Sequence, residues 1–240
     1  MDAHVAIDTS GRPRRRRGGR LADVRRGVRG SRHGLGQGGR SGVGGLRRAC
    51  DVCVATLGLV VSAPLLGVAA IAIRRSSPGP VLFRQQRVGA GGQPFTILKL
   101  RTMTDGGDGP DLTARADPRV TRVGSVLRRT SVDELPQLVN VLRGEMTLVG
   151  PRPETVGLAE RYPTDCRWIL QYTPGLTGPA QIRLRDSRVL RPAASDPERW
   201  YLEEVVPRRV ALDATFLRAP TLRHTLNVLV QTAVYLLRPA

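Results

Sequence analysis

The sequence predicts a helix-rich α+β domain joined to an apolar, membrane-associating segment, and three observations predict it. An apolar run, "CVATLGLVVSAPLLGVAAIAI" (Cys53 to Ile73), has arginines at both ends. Two strand-like stretches, "PVLFRQQRVG" and "PFTILKLRTM", are joined across Gly89-Ala90-Gly91-Gly92. Beyond them apolar residues recur at helical spacing, as at Leu135, Leu138, Val139 and Leu142, and Gly144 ends that pattern.

The elements follow in order. Residues 1–45 include "RPRRRRGGR" and "RHGLGQGGRSGVGG" and hold too little apolar surface to order themselves, so a disordered basic tail is expected. The chain of 240 residues carries 38 Lys+Arg against 20 Asp+Glu, a formal net charge of +18. Such a balance favours anionic partners: nucleic acid, a phospholipid surface or a phosphorylated substrate. Aromatic residues at 4 % weaken a base-stacking reading, and no specific nucleic acid is expected. Anionic membrane lipids suit the tail, at ~1 kcal/mol per basic residue near the surface. A cleaved signal peptide is not expected, because the basic region is too long and the apolar run exceeds the usual ~7–15 residues.

Val52 to Ile73 is about 22 residues, enough to span a bilayer at ~1.5 Å per residue. Pro64 removes a backbone donor near the middle, which predicts a break there, and Ser62 can rebind the freed carbonyl. Arg47 and Arg48 precede the run; Arg74, Arg75, Arg84 and Arg87 follow it. Basic flanks favour the cytoplasmic side, and here both flanks are basic. The physics leaves a re-entrant path and a spanning one equally open.

The cysteines, Cys50, Cys53 and Cys166, form no zinc pattern and are expected as reduced thiols. His4, His33 and His224 are scattered and suggest no metal cluster. Lys99 is the one lysine among many arginines, which hints at a site that wants a compact ammonium. Residues 104–118 read as a polar loop. "RVTRVGSVLRRTS" and "DELPQLVNVLRG" read as helices, "MTLVGPRPE" as a short buried strand or turn, and 198–237 as helical again.

Asp133 and Glu134 are adjacent acids between Arg128, Arg129 and Arg143. One reading is a capping box, Ser131 to Glu134, at a helix start. The other is a carboxylate pair that binds a divalent cation or attacks phosphorus. Arg152, held between Pro151 and Pro153, suits bidentate phosphate binding or, alternatively, a buried ion pair.

The stretches "SPGPVLFRQQRVG", "PFTILKLRTM", "TRVGSVLRRTSVDELPQLVNVLRGEMTLVGPRPE" and "YTPGLTGPAQIRLRD" together resemble the bacterial sugar transferases, the monotopic phosphoglycosyl transferase family. They run in family order and, with the apolar segment, cover most of Leu46 to the C-terminus. The resemblance implies a re-entrant helix-break-helix over 46–75 and a small cytoplasmic catalytic domain over 76–240, on the inner membrane. It implies transfer of a sugar-1-phosphate from a nucleotide-sugar, usually UDP-linked, to a polyprenol phosphate (undecaprenyl or decaprenyl), with Mg²⁺. Asp133 would be the covalent nucleophile, Glu134 the second acid, and both would hold the metal. Lys99, Arg128, Arg152, Arg185 and Asp213 would bind substrate. The chain departs from the family pattern at Ser62-Ala63-Pro64, where serine and proline are separated, and at "AQIRLRD", where Arg183 and Leu184 replace Asn and Gly. A membrane-tethered basic binding or scaffold protein is the alternative, and the oligomeric state is open.

Overall fold

The computed structural model of the protein describes residues 41–104, 117–184 and 196–237. Most of the expected tail, most of the 104–118 loop, and Arg185 lie outside the described residues. The last residues assigned to the tail are helical instead: α1 spans Ser41–Ser76. The helical assignment is continuous through Pro64, which lies inside α1. Proline removes the donor that would meet the Val60 carbonyl. Ser62 Oγ donates to the Leu59 carbonyl at 3.4 Å, one residue short of that orphan.

The stretch Gly44–Ser76 is long and apolar enough to cross a membrane, and 11 % of its most apolar window is buried by the rest of the protein. Leu57, Val60, Val61, Val68 and Ile71 are exposed. Leu46, Val52 and Val54 nearer the start are exposed as well, and the buried positions are few. Ala55 packs with Leu138 and Val141, and Ala69 and Ile73 pack with Leu100 and Leu127. α1 therefore rests on the domain at two separate points, Ala55 and Ala69 to Ile73. Polar contacts fasten the first end. Arg47 donates to the Val149 carbonyl. Arg48 donates to the Val141 and Leu142 carbonyls at 2.6 and 2.9 Å, at the C-terminus of a helix where positive charge is favoured. Asp51 accepts from Thr147 Oγ1 at 2.6 Å and from the Leu148 amide at 3.2 Å.

The expected hairpin is present. β1 (Leu82–Val88) pairs antiparallel with β2 (Pro94–Leu100), placing Phe83 opposite Lys99. Gly91 and Gly92 turn the chain at φ +64° and +75°, where a side chain would be strained. Next come α2 (Arg122–Thr130), a 3₁₀ turn (Val132–Glu134) and α3 (Gln137–Arg143), which Gly144 ends at φ +80°. β3 (Thr147–Val149) is fully buried and pairs in parallel with β5 (Gly175–Thr177). Between them lie β4 (Glu154–Thr155), which adds to the free edge of β1, α4 (Val156–Glu160) and a 3₁₀ stretch (Thr164–Gln171). After α5 (Pro179–Arg183) come α6 (Pro197–Trp200), a π-helical stretch (Tyr201–Val205), α7 (Val206–Leu217) and α8 (Leu222–Leu237).

One core cluster gathers Phe95, Ile97, Leu138, Val141, Leu148 and Phe216; a second gathers Leu158, Tyr162, Ile169 and Val206. Fully buried Asn140 locks α3 to β2. Its Oδ1 accepts from the Leu98 amide at 3.1 Å and its Nδ2 donates to the Thr96 carbonyl at 2.8 Å. A satisfied buried amide is directional, so this pair of bonds fixes how the turn before α3 faces Lys99 on β2.

Candidate active site

The 3₁₀ turn that carries the two acids follows from an unusual backbone. Ser131 adopts φ +58° and ends α2; its amide bonds the Leu127 and Arg128 carbonyls. The capping-box reading is not realised, because Ser131 makes no side-chain cap and Glu134 turns elsewhere. Glu134 Oε1 accepts from Lys99 Nζ at 2.9 Å, and Arg152 Nη1 reaches the same oxygen at 3.5 Å. Burial lowers the Lys99 pKa, and the Glu134 charge works against that shift.

Asp133 differs sharply from its neighbour. It is 8 % exposed, yet its carboxylate makes no hydrogen bond or ion pair among the described residues. Burial pushes its carboxyl up to about 6, and the Glu134 charge adds to this; Lys99, Arg128 and Arg152 pull the other way. One turn therefore presents two carboxylates in different states. One is neutralised by two cations, and the other is buried and free of bonds. The second has no bonded partner to displace before it could react.

Among the described residues no group of three or more His, Cys, Asp or Glu could hold a metal. Magnesium does not need one. It is commonly held through one or two carboxylates together with substrate phosphates, with waters filling the rest. The unbonded Asp133 oxygens, with Glu134 beside them, are hard donors of that kind, so the residues present fit the ion.

The other expected residues fall into two places. Arg128 belongs with the acids: its charge acts on Asp133, and its Nε donates to Thr102 Oγ1 at 2.8 Å. Its helix sits very close to that strand end. A Cβ at Gly124 would lie 2.0 Å from the Thr102 carbonyl oxygen, so only glycine permits the approach. Asp213 lies on α7, 3 % exposed, and Oδ1 accepts from the Ala180 amide at 3.0 Å. Burial pushes its carboxyl up to about 6 against that bond and the Arg209 charge. It lines a cleft with Arg152, Glu154, Tyr172 and Arg209 rather than bonding the two acids. Arg152 links the two places, since it lines the cleft and reaches Glu134. Arg183 is exposed on α5, and Arg185 is outside the described residues.

Two groups of residues around the site are absent from the sequence reading. Asp51, an acid at the head of the apolar run, anchors β3, the strand that leads into Pro151-Arg152-Pro153. Glu154, directly after that segment, is buried among tyrosines and arginines. An acid directly before an apolar run and an acid abutting a rigid Pro-Arg-Pro were the available signals.

The family model described as Bacterial sugar transferase matches residues 43–239. A UDP-glucose:undecaprenyl-phosphate glucose-1-phosphate transferase of Caulobacter vibrioides is 45 % identical over 196 residues, covering 80 % of this chain and 69 % of that protein. A protein of the same description from Escherichia coli is 47 % identical over 142 residues, covering 57 % of this chain and 31 % of its own length. A UDP-N-acetylgalactosamine-undecaprenyl-phosphate N-acetylgalactosaminephosphotransferase of Aeromonas hydrophila is 38 % identical over 142 residues and is covered over 34 % of its length. This chain thus spans about a third of the longer relatives and over two thirds of the Caulobacter protein.

Proposed function

The chain belongs to the bacterial sugar transferase family, and we propose that it moves a sugar-1-phosphate from a UDP-sugar to a polyprenol phosphate, undecaprenyl or decaprenyl, at the start of glycan assembly. The observation that carries this reading is the division of labour in the Val132–Glu134 turn: Glu134 is held by Lys99 and Arg152, and Asp133 is buried and unbonded.

In the first half-reaction an Asp133 carboxylate oxygen attacks the β-phosphorus of the donor. The bond from that phosphorus to the bridging oxygen breaks, and UMP leaves with the electron pair. In the second, a phosphate oxygen of the polyprenol phosphate attacks the phosphorus of the phospho-aspartate, and the Asp133 carboxylate departs. Two bulky substrates thereby use one site in turn. Arg152 and Arg128 supply fixed positive charge where phosphate oxygens gather, and Lys99 keeps Glu134 in place. Magnesium, held by Asp133, Glu134 and the donor diphosphate, would neutralise charge on the departing phosphate.

The membrane path is part of the proposal. α1 packs on the catalytic domain at Ala55 and again at Ala69 and Ile73, and Leu57, Val60, Val61, Leu65, Val68 and Ile71 between those points are exposed. That arrangement supports a shallow, re-entrant seat in one leaflet of the inner membrane, with the domain on the cytoplasmic face and anionic lipids at the basic flanks. The sugars named for relatives differ, so the donor sugar is left to assay.

Detergent-solubilised protein should release UMP from at least one member of a UDP-sugar panel, given Mg²⁺ and polyprenol phosphate, and Asp133→Asn should abolish release. No release from the whole panel would favour a binding or scaffold role instead.

A further inference from the structure

Glu154 opens β4 directly after Pro151-Arg152-Pro153 and is 5 % exposed. Its Oε2 accepts from Tyr162 Oη at 2.9 Å and from Tyr201 Oη, and faces Arg209 Nη1 at 3.5 Å. Its Oε1 accepts from the Thr155 amide at 3.1 Å and faces Arg87 Nη1 at 3.6 Å. Arg209 also donates to the Tyr201 hydroxyl and lies over that ring, 5.8 Å from its centre. Stability alone gives no reason for so many polar partners, because a buried ion pair is often no more stable than apolar side chains of the same volume. What such a network does supply is orientation.

The helix around Tyr201 is shaped to match. At 3.6 residues per turn, eight α-helical steps would turn Arg209 about 80° away from Tyr201. The π-helical stretch Tyr201–Val205 takes more residues per turn and removes most of that offset, so both side chains meet Glu154. The opposite end of the device is the cleft. Arg209 and Arg152 both line it, and Arg152 extends from there to Glu134.

We propose that Glu154 is a positioning residue: with Tyr162, Tyr201 and the π-helical turn, it holds Arg209 and the Arg152 segment so that two guanidinium groups converge on the cleft and grip the anionic nucleotide part of the donor. The inference rests on the transfer reading above. It assigns the network to donor affinity, not to the chemical step at Asp133.

The test compares wild type, Glu154→Gln and Tyr201→Phe by UMP-release kinetics, by equilibrium binding of UDP, and by thermal unfolding to normalise for folded protein. KM for the donor and the UDP dissociation constant should rise about tenfold in both variants, with kcat within about twofold of wild type. Tyr201→Phe keeps the ring and every charge, so it reports even where Glu154→Gln folds poorly. A wild type that releases UMP, together with a Tyr201→Phe variant whose KM and UDP affinity are unchanged, overturns the inference and leaves the transfer reading standing. A loss of activity that only follows the folded fraction also overturns it. A wild type that releases no UMP from any donor fails the transfer reading itself, and this inference with it.

Discussion

Replacing Lys99 by arginine keeps the charge and changes the shape, at the one position where this chain uses an ammonium. Lys99 Nζ sits 2.9 Å from Glu134 Oε1, and the same oxygen already has Arg152 Nη1 at 3.5 Å. The three side chains are between 16 % and 25 % exposed, so there is little room for a longer, planar group. A guanidinium at position 99 would crowd that of Arg152 on one carboxylate oxygen. A hydrogen bond to a charged group contributes ~1.5–3 kcal/mol. The retained charge recovers part of that, leaving a loss of about 1 kcal/mol and a Tm lowered by roughly 2–4 °C. Activity should suffer far more. A displacement of about 1 Å in a reacting group can cost ~100-fold, about 2.7 kcal/mol of transition-state stabilisation. The assay is UMP release beside thermal unfolding in the same detergent. The companion Lys99→Met removes the ammonium from Glu134 altogether and should be at least as inactive. A Lys99→Arg enzyme within about threefold of wild type would refute the reasoning that this site needs a compact cation.

Three further outcomes are expected. The Asp213 carboxyl is raised to about 6, above its ordinary ~3.9, so the fold favours its protonated form. The folded state takes that proton as pH falls through about 6 and the unfolded chain only near ~3.9, so stability falls as pH rises between those values and stays lower above them. Asp213→Asn keeps an oxygen for the Ala180 amide and removes the charge; urea melts at neutral pH should show a gain of roughly 2–3 kcal/mol and a shallower acid-range slope, and an unaltered slope would count against it. Gly124→Ala places a Cβ 2.0 Å from the Thr102 oxygen and should cost ~2 kcal/mol or more while lowering activity through Arg128, whereas Gly45→Ala, inside α1 with nothing within 4 Å, should leave activity unchanged and stability equal or higher by up to about 1 kcal/mol. In a variant lacking the native cysteines, single cysteines at Gly45 and Arg75 should both resist a membrane-impermeant reagent in intact cells; labelling at one end only would place α1 across the bilayer.

How much of this was legible in the sequence depends on the range of the interaction. The hairpin was, because alternation and a glycine turn are local, and so was the end of α3 at Gly144, where φ is positive. The acid pair and Arg152 were visible as a cluster, yet the turn that separates their roles depends on Ser131 at φ +58°, a conformation no local pattern signals for serine. Arg47 and Arg48 read as flanking charge, but they bond backbone carbonyls far along the chain, and such partners leave no periodic trace. Pro64 stands out in the sequence as a missing backbone donor, and in the structure it lies within the continuous assignment of α1. Glu154, Tyr162, Tyr201 and Arg209 come together only once the sheet and α7 have packed, so sequence patterns could not associate them.

The central claim is that Asp133 becomes covalently phosphorylated by the donor. Wild-type protein mixed with Mg²⁺ and an accepted UDP-sugar, with polyprenol phosphate withheld, should gain the mass of one sugar phosphate on the peptide that carries Asp133. Adding polyprenol phosphate should discharge it, and Asp133→Asn should never acquire it. An active enzyme that shows no adduct under these conditions, or carries it on a peptide without Asp133, would contradict the account.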